Sequence, residues 1–429
     1  MGVSTIKRII ARQILDGNGR PAVEADVYTD GGYLGRSGAS TGTSVGKNES
    51  SVLRDGDLNL FEGLSVYKAI ENIGNILAPA LTGMDVMEQE KIDRMMIELD
   101  STRLKTRLGG NAIYALSTAV LRAAAAVKGQ PLYLAMADGP LRHIPAPASN
   151  IVNGGAYLDR TLAFQEFMII PYDVEDMYEA VRIIVEVFLR LGKVIKKANG
   201  RNPNMGNYSG YGAPSDDPFE VFDMIAQTVS ELGYSKNVCY AIDCAASEFY
   251  DEREEAYLYR NRLVSREELI TVLAGLTEKY PIAFIEDALQ EDDFEGFREL
   301  SGRAKTLIVG DDLLCTSLDR AKKAVMMGAA GGMIFKPNQA GTITEALEAA
   351  DYMAGQGMLV IPSGRAGGVE NPPEKEIGLA KGMYMTKTGA PRSGPRTAGF
   401  NFLCRAGEEL SLPVANVREM PFFNHLKLL

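Results

Sequence analysis

Histidine is almost absent from this sequence of 429 residues, which contains two. His143 lies where two domains are predicted to meet and His425 lies near the end of the chain, so we do not expect histidine to act as an acid or a base here. Cysteine is also sparse, and the four cysteines lack the spacing of metal ligands. We therefore expect them to be reduced thiols in the protein core.

Positive net charge and long apolar runs are absent as well. The formal net charge is -11, which argues against a surface that binds nucleic acid or an anionic membrane. There is no run of 18 apolar residues and no apolar signal-like stretch at the start. We expect a cytoplasmic protein that binds neither nucleic acid nor a membrane.

Four short apolar segments between residues 238 and 336 each end in a polar side chain. They are typical of parallel strands that are buried on both faces, with amphipathic helical segments between them. The segments are 238–243, 282–287, 307–312 and 332–336, and the helical segments are 265–279, 294–304 and 317–327. Successive strand–helix units with right-handed crossovers curl into a barrel, whose active site lies at the carboxyl ends of the strands.

The side chains at these four strand ends are Asp243, Glu286, Asp311 and Lys336. One such acidic residue is more often a helix cap or a surface charge, but four consecutive polar ends are harder to explain in that way. Carboxylates without histidine or cysteine suit Mg²⁺ or Mn²⁺ better than Zn²⁺. A lysine beside such a cation has a lowered pKa and can remove a proton next to a carboxylate, while the metal stabilises the product.

The first third of the chain has a different pattern. Alternating segments at 6–14 and 21–28 predict antiparallel strands. Helical patterns follow at 66–78, 86–100, 112–128 and 131–137. A Pro-Ala-Pro run then predicts a boundary between an N-terminal α+β domain, residues 1–142, and a barrel domain, residues 143–429.

With these motifs the sequence resembles the enolase family, from Ala11-Arg12-Gln13-Ile14-Leu15-Asp16 to Lys387-Thr388-Gly389-Ala390-Pro391. The resemblance implies an α/β fold with an N-terminal α+β capping domain and a modified TIM (β/α)8 barrel. It also implies a Mg²⁺-dependent lyase that interconverts 2-phosphoglycerate and phosphoenolpyruvate, a small phosphorylated carboxylic acid as its substrate, and a dimer or octamer of identical chains.

Site residues carry over from the family one by one. Asp243, Glu286 and Asp311 match the metal ligands, and Lys336 matches the base that takes the C2 proton. Ser40, in the Gly/Ser/Thr-rich segment 36–46, matches a lid serine that binds a second metal. Gln165 and Glu166 match the family's Gln-Glu pair, which lies near the substrate and the proton transfers. Arg365 matches the residue that binds the phosphate, and Lys387 the residue that holds the substrate carboxylate. Ser363, close to Arg365, is expected to be a further substrate contact.

The sequence departs from the family where the leaving group is handled. Tyr157 stands where a histidine is usual and is expected to contact the substrate. The family's acidic Gly-Asp-Glu-Gly-Gly-Phe-Ala-Pro segment becomes 206–214, which is one residue longer and has no carboxylate. The general acid's position falls on Tyr208, or on Asn207 if the insertion is placed differently. Gly364 replaces a second histidine, and a serine two residues later is an alanine.

Three hypotheses follow from this mixture of matches and departures. The first is an enolase-type lyase in which Tyr208, Glu166 or a second Mg²⁺ assists the loss of hydroxide. The second is a diverged enzyme of the same superfamily that acts on another phosphorylated or phosphonylated hydroxy acid. The third is a binding protein without turnover, which a buried cluster of like charges argues against.

Overall fold

The computed structural model describes residues 2–42, 46–158, 162–420 and 423. The strands are β1 (Ile6–Leu15), β2 (Pro21–Thr29), β3 (Leu34–Gly38), β4 (Ala146–Asn153), β5 (Glu166–Pro171), β6 (Tyr211–Gly212), β7 (Val238–Asp243), β8 (Tyr250–Asp251), β9 (Ala256–Tyr259), β10 (Arg262–Val264), β11 (Ile282–Glu286), β12 (Leu307–Gly310), β13 (Gly332–Phe335), β14 (Leu359–Pro362) and β15 (Met385–Thr388).

The α-helices are α1 (Tyr67–Asn72), α2 (Ala78–Leu81), α3 (Gln89–Asp100), α4 (Gly110–Lys128), α5 (Leu132–Ala135), α6 (Met177–Asn199), α7 (Pro218–Glu231), α8 (Arg266–Lys279), α9 (Phe294–Arg303), α10 (Leu318–Met327), α11 (Pro337–Ala340), α12 (Ile343–Gly355), α13 (Glu374–Ala380) and α14 (Gly394–Leu410). A π-helical turn, Ile73–Leu77, joins α1 to α2. It interrupts the single helix that was predicted at 66–78.

The N-terminal sheet is antiparallel in the order β1-β2-β3, and α4 packs against it. The first two strands were predicted, whereas β3 was not and ends inside the predicted lid segment. Gly35 of β3 makes this packing close, because a Cβ there would lie 2.0 Å from the carbonyl oxygen of Ala119. Helix α4 is long and apolar enough to cross a membrane by length and composition, but 72% of its most apolar window is buried inside the protein, as in the core helix of a globular domain.

Eight strands form the barrel, in the order β14-β13-β12-β11-β7-β5-β4-β15. A bridge between Ser363, just after β14, and Lys387 of β15 brings the two edges together. All neighbouring pairs are parallel except those of β5, which runs antiparallel to both β4 and β7. The α/β barrel is confirmed.

The parallel order predicted for residues 238–336 is confirmed at β7, β11, β12 and β13, whereas β5 lies outside that stretch and runs the other way. In the connection 154–165 the described residues contain only a short 3-10 helix, Gly155–Tyr157. A parallel neighbour needs a crossover, usually an α-helix, whereas a short link returns the chain antiparallel. The amino end of β5 thus lies at the same mouth as the carboxyl ends of the other strands.

Replacing Gly35 with alanine should destabilise the fold. The new methyl group would meet the backbone of α4, including the Ala123 nitrogen at 2.3 Å, so strand and helix must separate. We expect a loss of about 3 kcal/mol in the free energy of unfolding, measured with urea. Gly74→Ala is the control, since a Cβ there meets nothing within 4 Å, and it should be neutral or stabilising. Equal stability of the two variants would contradict this account of the packing.

Candidate active site

The structure brings the four predicted strand-end groups to one mouth of the barrel. Asp243 and Glu286 are the last residues of β7 and β11, and Asp311 and Lys336 directly follow β12 and β13. All four side chains are buried, and Glu286 is 0% exposed. Continuous apolar strands therefore deliver one positive and three negative groups into a space that is largely closed to water.

Glu166 reaches the same mouth from the opposite chain direction. It is the first residue of β5 and pairs in register with Asp243. Gln165, just before it, donates a hydrogen bond from Nε2 to Asp243 Oδ2 at 3.3 Å. The Gln165 Oε1 atom is buried and accepts no hydrogen bond from the described residues. Both residues of the predicted Gln-Glu pair thus lie beside the acidic cluster.

Lys387 of β15 lies in the middle of three carboxylates. Its Nζ is 2.6 Å from Glu166 Oε2, 2.6 Å and 2.8 Å from the two oxygens of Glu286, and 3.3 Å from Asp243 Oδ2. Burial and the neighbouring Asp243 raise the pKa of Glu286 well above its usual value, and burial raises that of Glu166. One ammonium group therefore balances a surplus of buried negative charge.

Lys336 pairs with Asp311, whose second oxygen accepts a hydrogen bond from Gln339 Nε2 at 2.8 Å. Burial alone would lower the pKa of Lys336, but the charge of Asp311 outweighs it and raises the pKa. The nearest charge here is a carboxylate, so Lys336 is protonated in this arrangement. The lowered pKa that was predicted for a lysine beside a bound cation stays a prediction.

Arg365 is held by Glu49, which was not among the predicted site residues. Its Nη1 donates a hydrogen bond to Glu49 Oε2 at 2.6 Å, and both side chains are buried. Glu49 also accepts from the Gly46 backbone nitrogen at 3.1 Å and from Gln339 Nε2 at 3.3 Å. The only sequence signal was an acidic residue shortly after the Gly/Ser/Thr-rich segment. Glu49 thus ties that segment to the barrel.

Ser40 and Ser363 lie on the Arg365 side of the mouth. The Ser40 side chain is buried, accepts a 3.4 Å hydrogen bond from the Val369 backbone nitrogen, and lines a small cavity with Arg365 and Lys387. Among the described residues, it forms no hydrogen bond with the three predicted metal ligands. Residues 43–45 of the predicted lid lie outside the described part of the chain.

The departures from the family pattern come together in space. The rings of Tyr157 and Tyr208 stack with their centroids 5.1 Å apart, and both pack with Ala366 in a small buried cluster. The Tyr208 hydroxyl donates to the Gly364 carbonyl oxygen at 2.6 Å. Burial raises the pKa of both phenols, so both are neutral. This side of the mouth is therefore an aromatic wall.

Asp287 is a second residue that was not among the predicted site residues. Its carboxylate accepts hydrogen bonds from the backbone nitrogens of Asp311 (2.9 Å), Asp312 (2.7 Å) and Leu313 (3.3 Å). Within the described residues, one cluster has three acidic side chains close enough to hold a metal ion together. It consists of Asp287, Asp311 and Asp312, each with a carboxylate oxygen within 4.8 Å of those of the other two. Asp287 thus shapes the loop that carries Asp311, while the predicted ligand set is spread around the two lysines.

Comparison with known proteins agrees with this geometry over nearly the whole chain. Residues 6–136 match the family model "Enolase, N-terminal domain", and residues 142–417 match "Enolase, C-terminal TIM barrel domain". The chain belongs to the enolase family. This confirms the resemblance, the fold class and the enzyme class, a carbon–oxygen lyase of the phosphopyruvate hydratase type.

Several archaeal enolases are similar along their full length. The enolase of Methanosarcina barkeri is 42% identical over 412 residues, which cover 95% of this chain and 96% of that protein. The enolase of Methanopyrus kandleri is 41% identical over 411 residues, again 95% and 96% of the two chains. The enolase of Thermococcus gammatolerans is 40% identical over 414 residues, or 94% and 95%.

Replacing Asp287 with asparagine should weaken the loop that presents Asp311. An amide keeps one acceptor oxygen but turns donors toward backbone N–H groups, so at least one buried hydrogen bond is lost. We expect a loss of about 1–3 kcal/mol in the free energy of unfolding. The control is Asp251→Asn, because Asp251 also accepts two backbone N–H groups but in an exposed turn. A loss of the same size in both variants would contradict the proposed role.

Proposed function

We propose that this enolase-family protein interconverts 2-phosphoglycerate and phosphoenolpyruvate and depends on Mg²⁺. The observation that carries the proposal is the buried mouth, where Lys336 lies beside Asp311 with three further carboxylates close by. The proposal includes a small phosphorylated carboxylic acid as the substrate, assembly into homo-oligomers, a cytoplasmic location, and a division into units 1–142 and 143–429.

The chemistry of the mouth fits a divalent cation. Asp243, Glu286 and Asp311 offer buried oxygen ligands, and the raised pKa of Glu286 marks an excess of negative charge. Gln165 adds a buried oxygen that lacks a hydrogen-bond donor among the described residues. Bound Mg²⁺ supplies positive charge that favours ionisation next to the substrate carboxylate. These three carboxylates would hold the ion, with Ser40 proposed for a second one.

Lys336 takes the C2 proton in this proposal. It can do so only as a neutral amine, and the charge of Asp311 now keeps it protonated. When that charge is balanced, burial and the nearby cations Arg365 and Lys387 lower the pKa of Lys336. Lys387 then holds the substrate carboxylate, and Arg365 faces the phosphate.

The proton for the departing hydroxide comes from Glu166 or Tyr208. Burial raises the pKa of Glu166, which favours the protonated form that a general acid requires. The Tyr208 phenol is neutral but already donates to the Gly364 carbonyl oxygen, so it must leave that partner to act. The raised pKa therefore supports Glu166 as a donor, although its contact with Lys387 at 2.6 Å must open before it acts, and Tyr208 is the other proposed donor.

A second candidate function is favoured by the aromatic wall. Tyr157, Tyr208 and Ala366 replace polar groups on the side where enolases handle the leaving hydroxide, and they pack into one buried cluster. Such a wall suits a related substrate, another phosphorylated or phosphonylated hydroxy acid whose second step differs. Proton abstraction by Lys336 is common to both candidates, so the products distinguish them.

Proton NMR of 2-phosphoglycerate with the protein and Mg²⁺ in D₂O should show exchange of the C2 proton together with vinyl signals of the product. EDTA should abolish both. Exchange without vinyl signals would favour the second candidate function. The absence of both would contradict the proposed reaction.

Lys336→Ala should slow C2 exchange by about 10²–10⁴-fold, because the base is lost while the carboxylates stay in place. Isothermal titration with Mg²⁺ should show that the variant still binds the metal. Lys381→Ala is the control, since Lys381 lies at the end of α13 and pairs with Asp138 on the surface. Unchanged exchange in Lys336→Ala would exclude Lys336 as the base.

Tyr208→Phe separates the two proposed proton donors. If Tyr208 donates the proton, vinyl formation should slow by about 10²-fold while C2 exchange changes little. If Glu166 donates it, both rates should stay close to those of the unmodified protein. Tyr157→Phe is the matched control, because it removes a hydroxyl from the partner ring of the same stacked pair. The two rates are read from the same NMR time course.

A further inference from the structure

The cations that line the mouth already have carboxylate partners. Lys336 pairs with Asp311, Lys387 with three carboxylates, and Arg365 with Glu49. Each of these pairs neutralises charge that an anionic substrate would otherwise use. An oxyanion of the ligand therefore gains most from cations at this site that have no acidic partner.

Two such cations lie next to Arg365. Lys375, the second residue of α13, and Arg396, in α14, form no ion pair with any carboxylate among residues 2–42, 46–158, 162–420 and 423. Both line the small cavity that also contains Ser40, Arg365 and Lys387. They add two positive charges to the site that the ion pairs of the mouth do not balance.

Lys375 also lines a larger cavity of about 570 Å³ on the outer side. The residues common to the two cavities are Gly368, Val369, Pro372, Lys375 and Pro395. The inner cavity measures only about 20 Å³, and the Lys375 side chain lines both cavities. Lys375 thus stands between the outer cavity and the anion side of the mouth.

Arg396 is held in a defined orientation. Its Nη2 donates to the carbonyl oxygens of Arg365 at 2.9 Å and Ala366 at 2.8 Å, and its guanidinium lies 4.1 Å from the Tyr208 ring centroid. A Cβ on Gly364 would be 3.9 Å from Arg396 Nη1. The remaining donors of Arg396 therefore face the space that the missing side chain at 364 leaves.

Gly399 of α14 makes room for Lys375. A Cβ at this glycine would lie 2.8 Å from Lys375 Cε and 3.2 Å from its Nζ. Burial lowers the pKa of Lys375 to about 8, and Arg396 acts in the same direction although Glu374 opposes it. An ammonium group in this position gains from a bound anion.

We propose that Lys375 and Arg396 form an oxyanion subsite that binds the phosphoryl or phosphonyl group of the substrate beside Arg365. This rests on the proposed function. A tetrahedral dianion offers oxygens for a guanidinium fork and for an ammonium charge together. Ala366 offers no hydroxyl donor where the family usually has a serine, so the two cations supply recognition that this position has lost.

Isothermal titration with inorganic phosphate and with 2-phosphoglycerate, in the presence of Mg²⁺, tests the subsite on the full chain. Lys375→Met and Arg396→Met should each lower the affinity for both ligands about tenfold, the effect expected for the loss of one charge-assisted contact. Lys375→Arg should restore most of the affinity, because it keeps the charge. Lys381→Met, at the opposite end of the same helix, should bind both ligands like the unmodified protein.

Gly399→Ala gives a second test that keeps every charge. Its methyl group should displace the Lys375 side chain and so lower the affinity for both ligands. The fold should tolerate the change, because alanine is favourable in a helix. Circular dichroism of each variant shows that it is folded.

Unchanged affinity for both ligands in Lys375→Met and Arg396→Met would overturn the subsite, as would the absence of phosphate binding in the unmodified protein. Weaker binding of phosphate with unchanged binding of 2-phosphoglycerate would overturn the assignment of the subsite to the substrate. Failure of the proposed function shows up separately, as intact binding of 2-phosphoglycerate without C2 exchange or vinyl product.

Discussion

Buried negative charge at one end of the barrel is the constraint on which the site depends. Carboxylates in such a place need counter-charges, because burial penalises every ion that is left unpaired. Lys387 and Lys336 provide them here, and both lysines have roles in the proposed reaction. Substrate, metal and base are therefore linked through charge balance: a change in the charge of any one of them alters the protonation of the others.

The sequence was sufficient to predict the barrel strands because their apolar runs are continuous and end in polar groups. Strand β7 has the predicted bounds, and β11 to β13 differ by one or two residues at the carboxyl end. The direction of β5 could not be predicted, since strand propensity contains no information about orientation. The pKa of Lys336 depends on which charge is nearest in space: Asp311 raises it in this arrangement, and its lowering beside a bound cation stays a prediction.

Contacts between distant parts of the chain could not be predicted from the sequence either. Glu49 and Arg365 are 316 positions apart, and nothing in either local pattern pairs them. The same holds for Lys375 and Gly399, where the informative feature is a missing side chain in a facing helix. The family resemblance supplied the matched residues, whereas the substituted ones had to be located by packing. Tyr157, Tyr208 and Ala366 are separated in sequence but form one cluster, so they are best understood as a joint replacement.

The Glu49–Arg365 pair places a limit on treating the two family domains as separable modules. Glu49 lies within the N-terminal match and Arg365 within the barrel match, yet they share one buried ion pair. A barrel expressed alone would leave that arginine without its acidic partner and open to solvent. Recombination between relatives at the domain boundary would exchange one partner of the pair without the other, so chimaeras must be chosen by compatibility across this contact and not by the sequence of the linker.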